Sequence, residues 1–132
     1  MTIEHLNPSG LSTPSGYVHV TVSGPGRLVH VAGQVAKDVE GRTVGVGDLT
    51  RQTEQVYANL RIALQAAGAD LRDVVKLVTY VVDLTSDKVA TVRAVRTGEM
   101  GKGPFPASTL VGVSALAAPE FLIEIEAIAA IA

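Results

Sequence analysis

The residues best suited to chemistry lie near the end of the chain, where Glu124 and Glu126 alternate with aliphatic residues in the run FLIEIEAIA. At a spacing of two they share one face of an extended segment, and ionised carboxylates among aliphatic side chains need a cation or a set of backbone donors. A carboxylate in a partly closed apolar cleft is pushed toward protonation and becomes a usable base, able to hold or activate a water. Spacing alone leaves open whether Glu124 does this or pairs with a cation at an interface. Ser108 and Thr109 open the preceding extended segment, and their hydroxyls can donate to a neutral carbonyl or accept from an amine. A nucleophilic serine would need a base, and no histidine lies near it in sequence. His19 and His30 fall on two strands expected to pair, yet a metal site wants a third ligand at a fixed spacing and none is present. They read as polar residues of a sheet face, with His30 able to line a cleft as acid or base. Gly41, Gly45 and Gly47 spell neither a dinucleotide nor a phosphate-loop fingerprint, so no metal and no cofactor are expected. Arg93 and Arg96 fall on a helix where a solvated face is the default, although the inner stripe of that helix runs Val89, Val92 and then Val95 or Arg96.

These side chains must be positioned by a chain of 132 residues, which is the size of one domain. Its hydrophobic content is 47% but its aromatic content only 4%, so the apolar mass is Val, Ala, Leu and Ile, suited to packed strands and small-residue helix contacts. A net charge of -2 without any Lys/Arg run provides little of the field that phosphate backbones require, and nucleic acid is not expected as a partner. The absence of cysteine excludes disulfides and thiol chemistry and fits a reducing compartment. The first ten residues carry no basic and apolar leader, and no apolar run is long enough to span a bilayer, so a soluble, cytoplasmic protein without membrane contact is expected.

In chain order, a short strand near Ile3–Leu6 precedes a Pro/Ser/Gly-rich loop. Tyr17–Val22 alternates as a half-buried strand, Ser23–Arg27 is a turn, and Leu28–Val35 reads as the returning strand of a hairpin. After the Gly41–Gly47 loop, Asp48 or Thr50 caps a helix whose stripe runs Leu49, Thr53, Val56, Leu60, Ala63, Leu64, Ala67, stopped by Gly68. Asp73–Asp83 is β-branched on both faces and reads as a strand covered on both sides, in a strand–helix–strand order that implies a right-handed parallel crossover. Thr85 or Ser86 caps a second helix to about Met100, ended by Gly101 to Pro104. Strands at about 108–115 and 120–131 complete the order β-β-β-α-β-α-β-β, an α+β domain with one mixed sheet and both helices on one face. The other face has no helix left to cover it, and identical subunits are the economical cover.

The order of Gly33-Gln34, Gln52-Thr53-x-Gln55-x-x-x-Asn59-Leu60, Ala66-Ala67-Gly68, Asp73-Val74-Val75-Lys76, Tyr80-Val81-x-Asp83-Leu84, Pro104-Phe105-Pro106-Ala107 and Ile123-Glu124-Ile125-Glu126-Ala127 resembles the RidA (YjgF/YER057c/UK114) family over nearly the whole chain. The resemblance implies a chorismate-mutase-like fold, a homotrimer whose sheets form a central barrel, and a small-molecule cleft between neighbouring subunits. In the enzymes of that family, which hydrolyse enamine or imine products of amino-acid dehydratases, an arginine after Pro-Ala holds the substrate carboxylate and a glutamate helps position water. The matching cleft positions here are Tyr17, Gly33, Thr85, Ser108, Thr109, Leu110 and Glu124, with His30 on an adjacent strand. Tyr17 and Glu124 keep the pattern, and Glu124 takes the catalytic role while Glu126 is read as structural. Ser108 departs from it, since it stands where the deaminases carry arginine, and Leu110 stands where many members have cysteine.

Three functions follow from this reading. The first is a small-molecule hydrolase or deaminase related to RidA, acting on something other than a 2-imino acid. The second is a non-catalytic trimer that binds a small metabolite. The third, a ribonuclease or translation inhibitor, is opposed by the acidic charge and scarce aromatics.

Overall fold

The computed structural model describes residues 2–132. Its elements are β1 (Glu4–Leu6), β2 (Val20–Val22), β3 (Arg27–Gln34), α1 (Leu49–Ala66), β4 (Val74–Val82), α2 (Ser86–Met100), β5 (Ala107–Val113) and β6 (Ile123–Ile131), with a short 3-10 turn at Leu71–Asp73 before β4. The order is the one expected from the sequence.

Each helix begins where a side chain relieves a backbone donor. Asp48 accepts from the Arg51 N–H at 3.0 Å to start α1, and the Thr85 hydroxyl accepts from the Lys88 N–H at 3.3 Å to start α2. Helix α1 ends against Gly68, whose φ of +79° is a left-handed turn that other residues enter at a cost. Its apolar stripe places Val56, Tyr57, Leu60 and Leu64 entirely out of solvent, over β3 and β6.

The main sheet has the order β3-β6-β4-β5, antiparallel except for the β4–β5 pair, which is joined in parallel through α2. On β6 the residues facing the helices, Ile123, Ile125, Ala127 and Ala129, are all buried, as are Leu77 and Val81 beside them on β4. The core therefore lies between the helices and one face of the sheet. The opposite face, on which Glu124, Glu126 and Ile128 alternate with these residues, is only half-buried. Strand β4 is expected to be covered on both sides; within one chain its second face, with Val78, Tyr80 and Val82, is covered only in part.

The expected hairpin does not form. Strand β2 pairs antiparallel with β1, Leu6 opposite Val20 and Glu4 opposite Val22, whereas β3 pairs with β6. Of the span Tyr17–Val22 only the last three residues are strand, and Val18 makes an isolated parallel bridge to Ala107. The Thr21 hydroxyl donates to the Val75 carbonyl at 2.8 Å, at the point where the register of β4 on β6 shifts. Strand β2 is thus tied to the β4–β5 side of the molecule, and β3 to its far edge. The nine-residue aliphatic β6 offers β3 a longer ladder than the three residues of β2 could. His19 and His30 are consequently not cross-strand neighbours.

Candidate functional site

On the open face of the sheet, β6 presents Glu124 opposite Tyr80 and Glu126 opposite Val78. The two carboxylates find different surroundings. Tyr80 donates its hydroxyl proton to Glu126 Oε1, a diagonal cross-strand contact, so the partner of Glu126 is a phenol rather than the expected cation or backbone donors. This hydrogen bond retains the Tyr80 proton and raises its pKa above the ordinary value of 10.0, with the nearby charges of Glu126 and Glu124 adding to it. Glu124 lies instead against Gly33, where a Cβ would stand 1.8 Å from Glu124 Oε2. Only a residue with no side chain allows the carboxylate that position. Gly33 and Glu124 are therefore brought together across the β3–β6 edge of the sheet.

Other expected residues are spread around this frame. His30 is opposite Ile128 on the same open face and exposed. The Lys76 ammonium donates to the Thr109 hydroxyl at 3.3 Å, also on that face. Ser108 and Leu110 point the other way, since Ser108 pairs with the buried Leu77 and Leu110 packs against the core. In strand spacings, Ser108 stands two strands across and three residues along from Glu124, about 10 Å in each direction and on the opposite face. Thr85 is occupied as the cap of α2, beyond the far end of β4. Tyr17 sits beside the start of β5, where the Val18 N–H donates to the Pro106 carbonyl at 3.1 Å. It lines a cavity of about 460 Å³ with Pro14, Gly16, Phe105 and residues of the N-terminal loop. Its ring meets His19 edge to face at 5.4 Å, and a His19 ring nitrogen lies 2.7 Å from the Ser12 carbonyl.

Two further polar groups stand out. Arg96, one of the two residues offered for the end of the inner stripe of α2, is half-buried rather than fully solvated, and burial lowers its guanidinium pKa below the ordinary value. Tyr57 is wholly buried on α1, its hydroxyl has no hydrogen-bond partner among the described residues, and its pKa is raised by that burial. A helical repeat identifies Tyr57 as inward-facing, but which hydroxyls remain unpaired depends on packing between helices. Among the described residues no group of three His, Cys, Asp or Glu side chains could hold a metal ion, and no helix is long and apolar enough to cross a membrane.

The family model described as Endoribonuclease L-PSP matches residues 9–131. The chain belongs to this family. A RutC family protein of Pyrococcus abyssi is 39% identical over 104 residues, 79% of this chain and 79% of that one. A Yersinia pestis protein, YyfB, described as a conserved Rid family protein of unknown function, has a crystal structure that superposes with a TM-score of 0.90 at 41% identity, covering 99% of this chain and 100% of its own. A 2-iminobutanoate/2-iminopropanoate deaminase of the mite Dermatophagoides farinae is 29% identical over 106 residues, 80% of each chain. The RidA-type fold expected from sequence, an α+β sheet with two helices on one face, is the fold of these neighbours.

Proposed function

We propose that this protein is a single-domain, RidA-like small-molecule hydrolase of the deaminase type, acting in a cleft between the subunits of a homotrimer on a substrate other than a 2-imino acid. The observation that carries this reading is the division of the expected site residues between the two edges of the sheet. Gly33 and Glu124 occupy the β3–β6 edge, while Tyr17, Ser108 and Leu110 gather at β5. A head-to-tail ring of copies, the β5 edge of one facing the β3 edge of the next, would unite the two groups. It would also turn inward the open faces, on which Leu28 is 55% exposed and Val111 37%.

In this reading Glu124, given room by Gly33 and making no side-chain hydrogen bond or ion pair among the described residues, holds or activates the attacking water, and Ser108 and Thr109 supply neutral hydrogen-bonding groups. A serine hydroxyl offers one neutral donor where a guanidinium would offer two charge-assisted ones, so position 108 grips a carboxylate poorly. The test couples a dehydratase that generates 2-iminopropanoate to this protein and follows imine loss, with uncharged imines and enamines run in parallel. Little acceleration of 2-iminopropanoate hydrolysis is expected, alongside turnover of an uncharged substrate that Glu124→Gln lowers by about 10²-fold to 10⁴-fold. Robust 2-iminopropanoate hydrolysis would overturn the substrate assignment, and binding without turnover across the panel would favour the non-catalytic trimer. A stable monomer in light scattering would remove the cleft.

A further inference from the structure

The loop between β3 and α1 carries an apolar residue that its own folding does not call for. The Asp38 N–H donates to the Arg42 carbonyl at 2.9 Å, the Gly41 N–H donates to the Asp38 carbonyl at 3.0 Å, and Lys37 pairs antiparallel with Thr43. Asp38 Oδ1 accepts from the N–H groups of Glu40 and Arg42 at 3.0 and 2.9 Å, while Gly41 takes the left-handed conformation at φ +81°. Asp38 and Gly41 thereby meet the demands of the turn. Val39 at its tip answers none of them, and at 97% exposure it is the most exposed large hydrophobic residue among those described.

This tip is held beside a groove. Asn59 of α1 donates to the carbonyls of Val35 and Lys37 at 3.0 and 2.9 Å, and Gln55 in turn donates to Asn59 Oδ1 at 3.0 Å. Between the loop and α1 lies a cavity of about 480 Å³ walled by Val35, Ala63 and Ile62, the last 67% exposed, with Val39 itself among its lining residues. A knob and a hole thus lie side by side on one surface. Such a surface is self-complementary, because a two-fold rotation about an axis between them seats each knob in the other copy's hole. The charges obey the same symmetry. Glu40 and Arg42, both exposed beside the tip, are opposite in sign and form no salt bridge among the described residues, so each can meet its opposite in a second copy.

We propose that this surface is a two-fold docking site for a second copy of the chain, with Val39 of each copy in the Val35–Ile62–Ala63 groove of the other and Glu40 against Arg42. A preformed loop loses little freedom on docking, yet so small a contact is weak, and an isolated pair is expected to associate in the micromolar to millimolar range. The contact uses neither Glu124 nor the β5 edge, so it stands apart from the head-to-tail ring proposed above. Where that ring forms, the contact joins rings in pairs.

The experiment exploits the absence of cysteine from the chain. Val39→Cys and Ile62→Cys are made separately, mixed and oxidised, so that a disulfide between the two variants can form only across a contact between molecules. A cross-linked pair is expected in the mixture, formed faster than in either variant alone. Sedimentation velocity over a concentration series then reads the unmodified chain, where even-numbered species should grow with concentration, as dimers or, if the ring forms, as hexamers. Val39→Asp should weaken this association at least about tenfold. Glu40→Arg and Arg42→Glu should each weaken it and the double variant restore it, a rescue that a folding defect would not give. A cross-link no faster in the mixture than in either variant alone, or an association that Val39→Asp leaves intact, overturns the proposal. So does the absence of even-numbered species at every concentration, which would leave the surface to a different protein. A trimer that never pairs removes this inference and keeps the intersubunit cleft, whereas dimers without trimers do the reverse.

Discussion

The two faces of β6 are built from one alternating run, and they solve opposite problems. Ile123, Ile125, Ala127 and Ala129 pack under α1 with at most 3% exposure, and every neighbour they need is supplied by the same chain. Glu124, Glu126 and Ile128, one residue out of step, stay half-buried on a face that no helix reaches. One face spends its alternation on stability; the other leaves carboxylates, a phenol and aliphatic groups available. The difference teaches that burial within the chain and availability for ligands or copies are set by the same period-2 pattern, with the helices deciding which side is which.

The comparison can be broken most forcefully in the core. Ile125→Ala removes a side chain with no exposure and should cost about 2–5 kcal/mol, read as a shifted denaturant midpoint. Ile128→Ala on the open face should cost well under about 1 kcal/mol if that face meets only water. A loss for Ile128→Ala that approaches the core value and varies with protein concentration would instead show the open face covered by copies of the chain.

A smaller effect on stability, though not on the site, is expected from Gly33→Ala. The new methyl collides with the far end of the flexible Glu124 side chain, which can swing aside, so the change in stability should remain within about 1 kcal/mol. Glu124 would lose its position, and turnover or ligand affinity should fall while the melting curve barely moves. Unchanged activity in a folded Gly33→Ala would dissociate Glu124 from the chemistry.

The smallest effect is spectroscopic and sharpens the contrast between the two carboxylates. Tyr80 keeps its proton above the ordinary phenol range because it donates to Glu126, so this interaction favours the folded state below about pH 10 and is lost as the phenol ionises at higher pH. In Glu126→Ala, phenolate absorbance from Tyr80 should appear at lower pH than in the unmodified protein. Tyr57, held up by burial, should remain the later of these two to ionise in both. A titration curve that Glu126→Ala leaves in place would remove Tyr80 as the partner.

The local elements were legible because each rests on chemistry spanning a few residues. Asp48 and Thr85 satisfy donors three positions away, Gly68 supplies a turn at its own φ, and the repeats at 3.6 and 2 residues sort α1 and β6 into faces. The motif series from Gly33-Gln34 to Ile123-Glu124-Ile125-Glu126-Ala127 likewise sufficed to identify the family that the comparisons establish. The hairpin reading failed because adjacency in sequence competes with ladder length, and β3 found a longer partner in β6, nearly a hundred residues on.

What the sequence determined by itself was the kind and order of elements, the inward stripes and the family. Tertiary structure alone decided that Glu126 meets Tyr80 while Glu124 meets Gly33, because those meetings depend on the register of β4 and β3 against β6. It alone decided that Ser108 and Glu124 stand on opposite faces, two strands apart, and that the Arg96 guanidinium reaches back to Gly16. The physical reason is the same throughout: periodicity and capping act over one or two turns of chain, whereas partners for charge and hydroxyl groups are chosen among residues that folding brings together from far along the chain, 54 positions for Thr21 and Val75 and 91 for Gly33 and Glu124.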